Sequence, residues 1–264
     1  MAQIINTNVM SLNAQRNLNS SQGALSVSLQ RLSSGLRVNS AMDDAAGLAV
    51  AMKMDSQIRG MTVAMRNASD GISYAQVADG ALSVVADQLQ RMRELATQSL
   101  NGTLSDTERS KINVEYAALQ TEASRIQAAA KLNGQAVFGS NFSFQVGAEA
   151  GDSIGGSFAS VAITGTDVTS SATAAAAMTA IDGWLGDVAT SRADVGGIQS
   201  RLTFTVQYLE GARENQTAAK SRIMDADFAS ETASLTRAQI LQQAGTAMVS
   251  QANSIPQNVL SLLR

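Results

Sequence analysis

Two pairs of carboxylates are the residues whose type and spacing most resemble a reactive site. Asp43 and Asp44 are adjacent, and Asp225 and Asp227 lie two positions apart. Paired carboxylates can serve as the acid and base of hydrolysis or as ligands for a metal ion. Each pair, however, lies at the predicted start of a helix, where carboxylates accept hydrogen bonds from free amides and favour the helix dipole. We therefore interpret both pairs as helix caps and expect no catalytic residue, metal site or cofactor.

The composition excludes most other kinds of reactive or metal-binding site. The 264 residues include no Cys and no His, which excludes disulfides, thiol nucleophiles, Cys/His zinc sites and histidine acid–base catalysis. The net charge of −3 predicts no general attraction to nucleic acid or to anionic membranes. The N-terminus lacks the pattern of a cleavable signal peptide, and no apolar run approaches the ~20 residues that span a bilayer. These features favour a structural protein over an enzyme.

Helices are expected to form most of the chain. Hydrophobic residues make up 45% of the sequence but aromatic residues only 4%. The core must therefore consist of Ala, Leu, Ile, Val and Met, which suits closely packed helices better than sheets. Pro256 is the only proline, so almost nothing in the sequence interrupts a helix.

Both ends of the chain carry an apolar seam that is too narrow to bury itself. Near the N-terminus leucines recur at heptad spacing, and over the last thirty residues apolar side chains alternate at spacings of three and four. The opposite faces are Ser, Asn, Gln and Thr. Each end is thus predicted to be a helix that needs a partner helix, from its own chain or another copy. The seam residues are Leu18, Leu25, Leu29, Leu32 and Leu36, and then Leu241, Ala244, Met248, Ala252, Ile255, Val259 and Leu262.

The middle of the chain contains further helical stretches. A connector over about residues 38–48 leads into a long periodic run, which ends at Asn101-Gly102. A capping box beginning at Ser105 opens the next helix. Since a short loop joins the two, an antiparallel helical hairpin is predicted. Helical periodicity returns over residues 173–220, before a second connector.

Between these helical stretches the period changes to that of β-structure. Phe142 and Phe144 alternate with polar residues, which predicts a half-buried strand. Phe158, Val161 and Ile163 suggest returning strands. Glycines between these segments mark turns.

The order of elements is symmetric about the β region, which predicts that the two terminal arms pair. We expect a mainly α protein: long heptad-patterned helices in a coiled-coil-like bundle, with a small β-hairpin region near 135–165. The arms, 1–45 and 222–264, would form one domain. Residues 46–221 would form a helical rod domain, with the β element at about 135–172.

Several stretches of sequence resemble one known family. They are MAQIINTNVMSLNAQRNL at the start, SLQRLSSGLRVNSAMDDAAGLAVA at 28–51, QRMRELATQS at 90–99, FQVGAEAGDSI at 144–154 and RAQILQQAGTAMVSQANSIPQNVLSLLR at the end. They lie at both ends of the chain and between them, and together they resemble bacterial flagellin, the subunit of the flagellar filament. Flagellins insert outer domains where this chain has only about residues 140–172.

The resemblance implies a subunit that polymerises into the extracellular filament that swimming bacteria rotate. The terminal arms would form the inner tube, and the rod domain the layer around it. The implied partners are further copies of the chain, the flagellar export apparatus, a flagellin chaperone, and the cap and hook–filament junction proteins. No binding of nucleic acid and no membrane insertion are implied.

Two alternatives stay open at the level of sequence. A hook–filament junction protein has related seams at its ends. A secreted, membrane-active amphipathic protein belongs to a different class, and the uncharged polar helix faces argue against it.

One face of the long central helix is a second predicted site. By the 100° step per residue, it lies opposite Leu89 and Ala96, so Leu95 would be an apolar residue on a polar face. An ordinary surface leucine is one interpretation. The resemblance implies another, a contact with Toll-like receptor 5 that also packs between filament subunits. The residues of this set are Arg91, Glu94, Leu95, Gln98 and, by resemblance alone, Glu115.

The stretch around the β region also offers candidates for modification. It is rich in hydroxyl side chains and is expected to be exposed. If the protein is glycosylated, the expected O-linked positions are Ser157, Thr169, Ser170 and Ser171.

Overall fold

Long helices make up most of the structure, a computed structural model that describes the backbone of residues 7–261 and the side chains of residues 7–254. The elements within this range are α1 (Val9–Ser34), α2 (Ala45–Ser99), α3 (Asp106–Ala129), β1 (Lys131–Leu132), β2 (Gln135–Ala136), β3 (Asn141–Gln145), β4 (Ser153–Ser157), α4 (Ser171–Met224) and α5 (Phe228–Ser261). The predicted fold, mainly α with a small β-hairpin region, is confirmed.

Residues that cap helices fix several of these boundaries. The side chain of Asn8 accepts a hydrogen bond from the Ser11 amide at the start of α1, and Gly35 ends that helix with a φ of 71°. Glycine adopts this left-handed conformation without steric cost. The predicted capping box is present before α3, where Ser105 and Glu108 each accept a hydrogen bond from the other's amide. The bond from the Ser105 amide lowers the pKa of Glu108.

The contacts divide the chain into two compact units. The arm unit comprises Met1–Ser56 and Asn215–Arg264, and the rod unit comprises Gln57–Glu214. Both α2 and α4 contribute residues to each unit. The domain limits predicted from sequence concern the layers of an assembled filament and stay a prediction.

The core of the rod unit is built from small and aliphatic side chains of α2, α3 and α4. The buried members include Ala75, Ala78, Leu82, Leu89, Met92, Tyr116, Ala123, Ile181, Val188 and Val195. Small residues allow backbones to approach closely. At Gly71 an added Cβ would lie 3.0 Å from the Leu202 Cδ1 and from a ring carbon of Phe144.

The β structure differs in part from the sequence prediction. The strand containing Phe142 and Phe144 is β3, but it pairs with β4, in which Ile154 lies opposite Phe144. Of the residues predicted to lie in returning strands, Phe158 forms an isolated parallel bridge with Phe138 directly after β4. The prediction is wrong for Val161 and Ile163, which are buried but lie in no strand.

Polar side chains of α3 replace a partner strand for this extended segment. The Gln127 side chain accepts a hydrogen bond from the Val161 amide (2.8 Å) and donates one to the Val161 carbonyl (3.1 Å). Asn113 accepts from the Val168 amide. A helix therefore satisfies backbone groups that the sequence pattern had assigned to a sheet.

The two connectors pair with each other inside the arm unit. The Arg37 amide donates to the Met224 carbonyl (2.6 Å), and the Ala226 amide donates to the Gly35 carbonyl (2.9 Å). Leu36 and Asp225 form an isolated antiparallel bridge. The segments that directly follow α1 and α4 thus tie the ends of these two helices together.

Candidate assembly surfaces

Helices α1 and α5 pack against each other antiparallel, as the sequence predicted. At one end the Asn8 side chain donates to the Ala252 carbonyl (2.7 Å), and the Ser11 hydroxyl donates to Asn253 (2.8 Å). At the other end Arg31 lies 3.8 Å from Glu231. These polar contacts fix the register, because a shift of one turn would break all of them.

Small residues line the contact between the two helices. On α5 the less exposed positions recur at spacings of three and four, and they are Leu235, Ala238, Gln242, Gly245, Val249 and Ala252. The closest approach is at Gly245, where a Cβ would lie 3.1 Å from the Leu18 Cδ1. On α1, Ser11 and Ser28 are buried, and Leu18 and Leu25 are half-buried. The sequence analysis missed Gly245, although a small residue at heptad spacing from Ala238 and Ala252 was the available signal.

The seam predicted on α5 is not the face that contacts α1. Leu241 and Met248 are 50% and 61% exposed, and by the 100° step they lie about 40–60° around the helix from Gly245. Ala244 is also exposed, whereas Ala252 is buried. Ile255 and Val259 belong to α5, but their side chains lie outside the described residues, as does Leu262 altogether.

The N-terminal seam divides in the same way. Leu18, Leu25, Leu32 and Leu36 are half-buried, while Leu29 is 49% exposed. Other large apolar side chains of the arm unit are exposed as well, namely Val9, Met10, Leu12, Val27 and Ile240. Pairing of α1 with α5 therefore leaves an apolar stripe of α5, formed by Leu241, Ala244 and Met248, open to solvent, while the exposed apolar side chains of α1 point in several directions.

A groove runs along this open side of the helix pair. Its apolar lining comes from both helices and consists of Met10, Ala14, Leu18, Leu241, Ala244 and Met248. Asn13 and Asn17 contribute polar edges. An exposed apolar surface with polar edges is typical of a protein contact surface.

The charged residues of the predicted site on the long helix lie close together. Arg91 donates to Glu94 (2.9 Å) and to Glu115 on α3 (3.0 Å), and these bonds raise the pKa of Arg91. Gln98 is exposed. The structure thus gathers three of the charged residues on one surface of α2 and α3. Exposed ion pairs of this kind contribute little stability.

The prediction that Leu95 lies on a polar face is wrong. Its side chain is 2% exposed and belongs to the rod core. Leu95 is separated by only about 60° from Met92 and about 40° from Ser99, both of which are buried. The buried stripe of α2 is therefore wider here than a comparison with Leu89 and Ala96 suggested.

The candidate positions for glycosylation differ in their surroundings. Ser157 and Ser171 are exposed. The Thr169 hydroxyl donates to Asp167 (2.7 Å), and Ser170 exchanges hydrogen bonds with Thr173 at the start of α4. Thr169 and Ser170 therefore have a structural role in capping, whereas the other two hydroxyls face solvent.

One member of each acidic pair, Asp44 and Asp227, is a helix cap, as interpreted from sequence, whereas Asp43 bonds within the preceding turn and Asp225 accepts a hydrogen bond from the Ser221 hydroxyl. Asp43 accepts hydrogen bonds from the side chain and amide of Ser40, which lower its pKa. Asp44 accepts from the Gly47 amide at the start of α2, and Asp227 from the Ala229 amide at the start of α5.

Among the described residues no group of three or more acidic side chains could hold a metal ion. No helix in the described part of the chain is long and apolar enough to cross a membrane.

Comparison with known families decides between the open alternatives. Residues 5–143 match the bacterial flagellin N-terminal helical region, and residues 178–263 match the bacterial flagellin C-terminal helical region. The chain belongs to the bacterial flagellin family. These two regions cover both units, so the assignment does not rest on the terminal arms alone.

Relatives of similar length support the same assignment. The flagellin of Halalkalibacterium halodurans is 43% identical over 271 residues, covering 99% of this chain and 100% of the relative. The flagellar filament 33 kDa core protein of Treponema phagedenis is 40% identical over 285 residues, with the same coverage. The crystal structure of Bacillus cereus flagellin is 27% identical, with a TM-score of 0.51 over 55% of this chain and 88% of that one. Full-length similarity to named flagellins favours this family over a hook–filament junction protein.

Membership of the family establishes the general role. The chain is a structural subunit of the extracellular flagellar filament and not an enzyme. Its lack of large outer domains is shared with relatives that align from end to end with few extra residues.

The register of α1 on α5 predicts a specific cross-link. A Cβ at Gly245 would lie 3.7 Å from the Leu18 Cβ, within the ~3.5–4.5 Å range of disulfides. We expect the double variant Leu18→Cys/Gly245→Cys to form an intramolecular disulfide on mild oxidation. Thiol titration and mobility on a non-reducing gel measure it cleanly, because the natural chain contains no cysteine.

A matched control moves the α1 cysteine from Leu18 to Gly23. No atom lies within 4 Å of a Cβ built at Gly23. The variant Gly23→Cys/Gly245→Cys should therefore keep free thiols within the monomer. Equal cross-linking of both variants would contradict the register described here.

Proposed function

We propose that this chain polymerises with itself into a helical filament through the open stripe of the arm unit. The supporting observation is that Leu241 and Met248 are 50% and 61% exposed although α1 and α5 are already paired. A large apolar surface that its own chain leaves uncovered is stabilised when a neighbouring subunit covers it.

The magnitudes favour assembly through many contacts. Complete burial of a leucine or methionine contributes about 1.5–3 kcal/mol. Association costs an estimated ~4–15 kcal/mol in lost translational and rotational freedom. One stripe on one neighbour therefore gives weak binding, whereas a subunit that contacts several neighbours in a helical lattice binds stably.

In the filament proposed here, the subunits form two layers. Residues 1–45 and 222–264 form the inner tube, and residues 46–221 form the layer around it. The assembled filament is rotated for swimming. Before assembly the subunit is carried by a flagellin chaperone and passes through the flagellar export apparatus, and it then adds between hook–filament junction and cap proteins. Similarity to flagellins supports these partners.

The released subunit has a second proposed role, as a ligand of Toll-like receptor 5. The exposed cluster formed by Arg91, Glu94 and Glu115, with Gln98 one turn further along α2, supports this proposal. Leu95 lies beneath the cluster and contributes by packing. The same surface packs against a neighbouring subunit in the filament, so the receptor binds free subunits only.

Glycosylation, where it occurs, is proposed at Ser157 and Ser171. Both side chains are exposed, whereas the hydroxyls of Thr169 and Ser170 are used in hydrogen bonds near the start of α4. A sugar at either exposed position would leave those capping bonds intact.

Polar substitutions on the open stripe test polymerisation. We expect Leu241→Ser/Met248→Ser to raise the critical concentration for filament formation by about 10–100-fold, since each substitution removes on the order of 1 kcal/mol of apolar burial. Sedimentation and electron microscopy of purified protein measure the effect. The helical circular dichroism of the free subunit should be unchanged, because both side chains are exposed before assembly.

The control for this experiment lies on the same helix. Gln239→Ser/Gln243→Ser replaces two exposed polar side chains of α5 and should leave the critical concentration within about twofold of wild type, as surface substitutions usually have small effects. If both double variants assembled like wild type, the open stripe would not be the polymerisation surface.

Substitution of Arg91 tests the receptor proposal. Arg91→Ala removes the guanidinium that joins Glu94 to Glu115, and we expect at least about a tenfold loss of potency in a receptor reporter assay, since a central arginine often dominates an interface. The control Arg125→Ala breaks the exposed ion pair with Glu122 and should signal normally. Leu95→Ala is unsuitable, because emptying a core position costs about 2–5 kcal/mol of stability. Full potency of Arg91→Ala would refute the assignment.

A further inference from the structure

Methionine is the only sulfur-containing residue of this protein. The sequence has 11 Met and no Cys, so the thiols that oxidants usually attack first are absent. The methionines differ widely in exposure: Met42 is 92% exposed and Met10 61%, whereas Met92 in the rod core is 0% exposed. Oxidation of the folded chain should therefore be selective for position, since it follows exposure.

Two exposed methionines lie in the same groove. Met10 on α1 and Met248 on α5 both line the open groove of the helix pair, together with Leu18 and Leu241. Because the helices are antiparallel, residues from opposite ends of the chain bring the two thioethers to one surface. The remaining lining is mostly apolar, so neither sulfur depends on a polar partner in its reduced state.

We propose that Met10 and Met248 form a reversible oxidation site that controls filament assembly. The reactant is a two-electron oxygen donor such as hydrogen peroxide. A sulfur lone pair attacks one peroxide oxygen, an S–O bond forms and the O–O bond breaks. The departing hydroxide takes up the remaining peroxide proton as water. The sulfur is oxidised by two electrons to the sulfoxide, and peroxide is reduced to water.

The product changes the groove from apolar to polar. A sulfoxide oxygen is a strong hydrogen-bond acceptor, and covering it with an apolar neighbour would remove its water without supplying a donor. The oxidised groove should therefore resist coverage by a second copy of the chain. This inference rests on the proposed polymerisation, because the free subunit alone gains or loses little from a change on its surface.

The test uses the full chain before and after mild treatment with hydrogen peroxide. Peptide mass spectrometry should find sulfoxide at Met10 and Met248 and none at Met92. We expect the critical concentration for assembly, measured by sedimentation, to rise by about tenfold or more. The loss of apolar burial and the unpaired polar group both weaken association between subunits. Treatment with methionine sulfoxide reductases for both epimers should restore assembly.

Two double variants, in which leucine replaces methionine, identify the methionines whose oxidation controls assembly. Met10→Leu/Met248→Leu conserves volume and removes both sulfurs. Its critical concentration, whatever its value before treatment, should not change on exposure to peroxide. Met42→Leu/Met52→Leu removes two exposed methionines that do not line the groove and should stay as sensitive as wild type. Equal sensitivity of the two variants, or normal assembly of the oxidised wild type, would overturn the inference alone. Failure of untreated wild type to assemble would overturn the proposed polymerisation and this inference with it.

Discussion

The packing of α1 against α5 is the interaction on which the arm unit depends. These helices come from opposite ends of the sequence, and neither can bury its apolar stripe within its own segment. Gly245 lets α5 approach Leu18 closely, and the hydrogen bonds from Asn8 and Ser11 fix the register at one end. The connectors that pair through Leu36 and Asp225 hold the other end. Closing the chain in this way brings both ends into one surface.

The pairing of α1 with α5 leaves part of that surface exposed to solvent. Small residues on the inner side of α5 permit close packing but bury little area, and the larger Leu241 and Met248 lie outside the contact. The rod unit is different, because its core encloses Leu89, Met92 and Leu95 and its loops are held by buried polar side chains such as Gln127 and Arg109. A unit with a closed core can be stable alone, whereas one with an open stripe gains stability from neighbours.

Much of this architecture could be predicted from the sequence. Asn101-Gly102 and the capping box at Ser105 marked the α2–α3 turn, and the heptad leucines together with the symmetric order of elements predicted that the arms pair. These signals are local, or they concern whole segments, so no side-chain geometry is needed to use them.

The remaining features depend on which neighbour covers which side of a helix. Periodicity favoured the larger apolar residues of α5, but close packing selected Gly245 and Ala238, so Leu241 and Met248 of the predicted seam lie outside the contact with α1. Leu95 was misplaced because the buried stripe of α2 is wider than its most regular residues indicate. The segment around Val161 has the composition of a strand, yet side chains of α3 satisfy its backbone. Each of these outcomes is decided by tertiary contacts that a local pattern does not contain.

Amide hydrogen exchange on the free subunit and on the filament tests the central claim most directly. In a verified monomer, amides of residues 9–34 and 228–254 should exchange much faster than those of residues 75–130, because the arm unit leaves one stripe uncovered. On assembly, the exchange of both arms should slow markedly while that of the rod core changes little. Arms that are as strongly protected in the monomer as in the filament would contradict the claim that neighbouring subunits complete their burial.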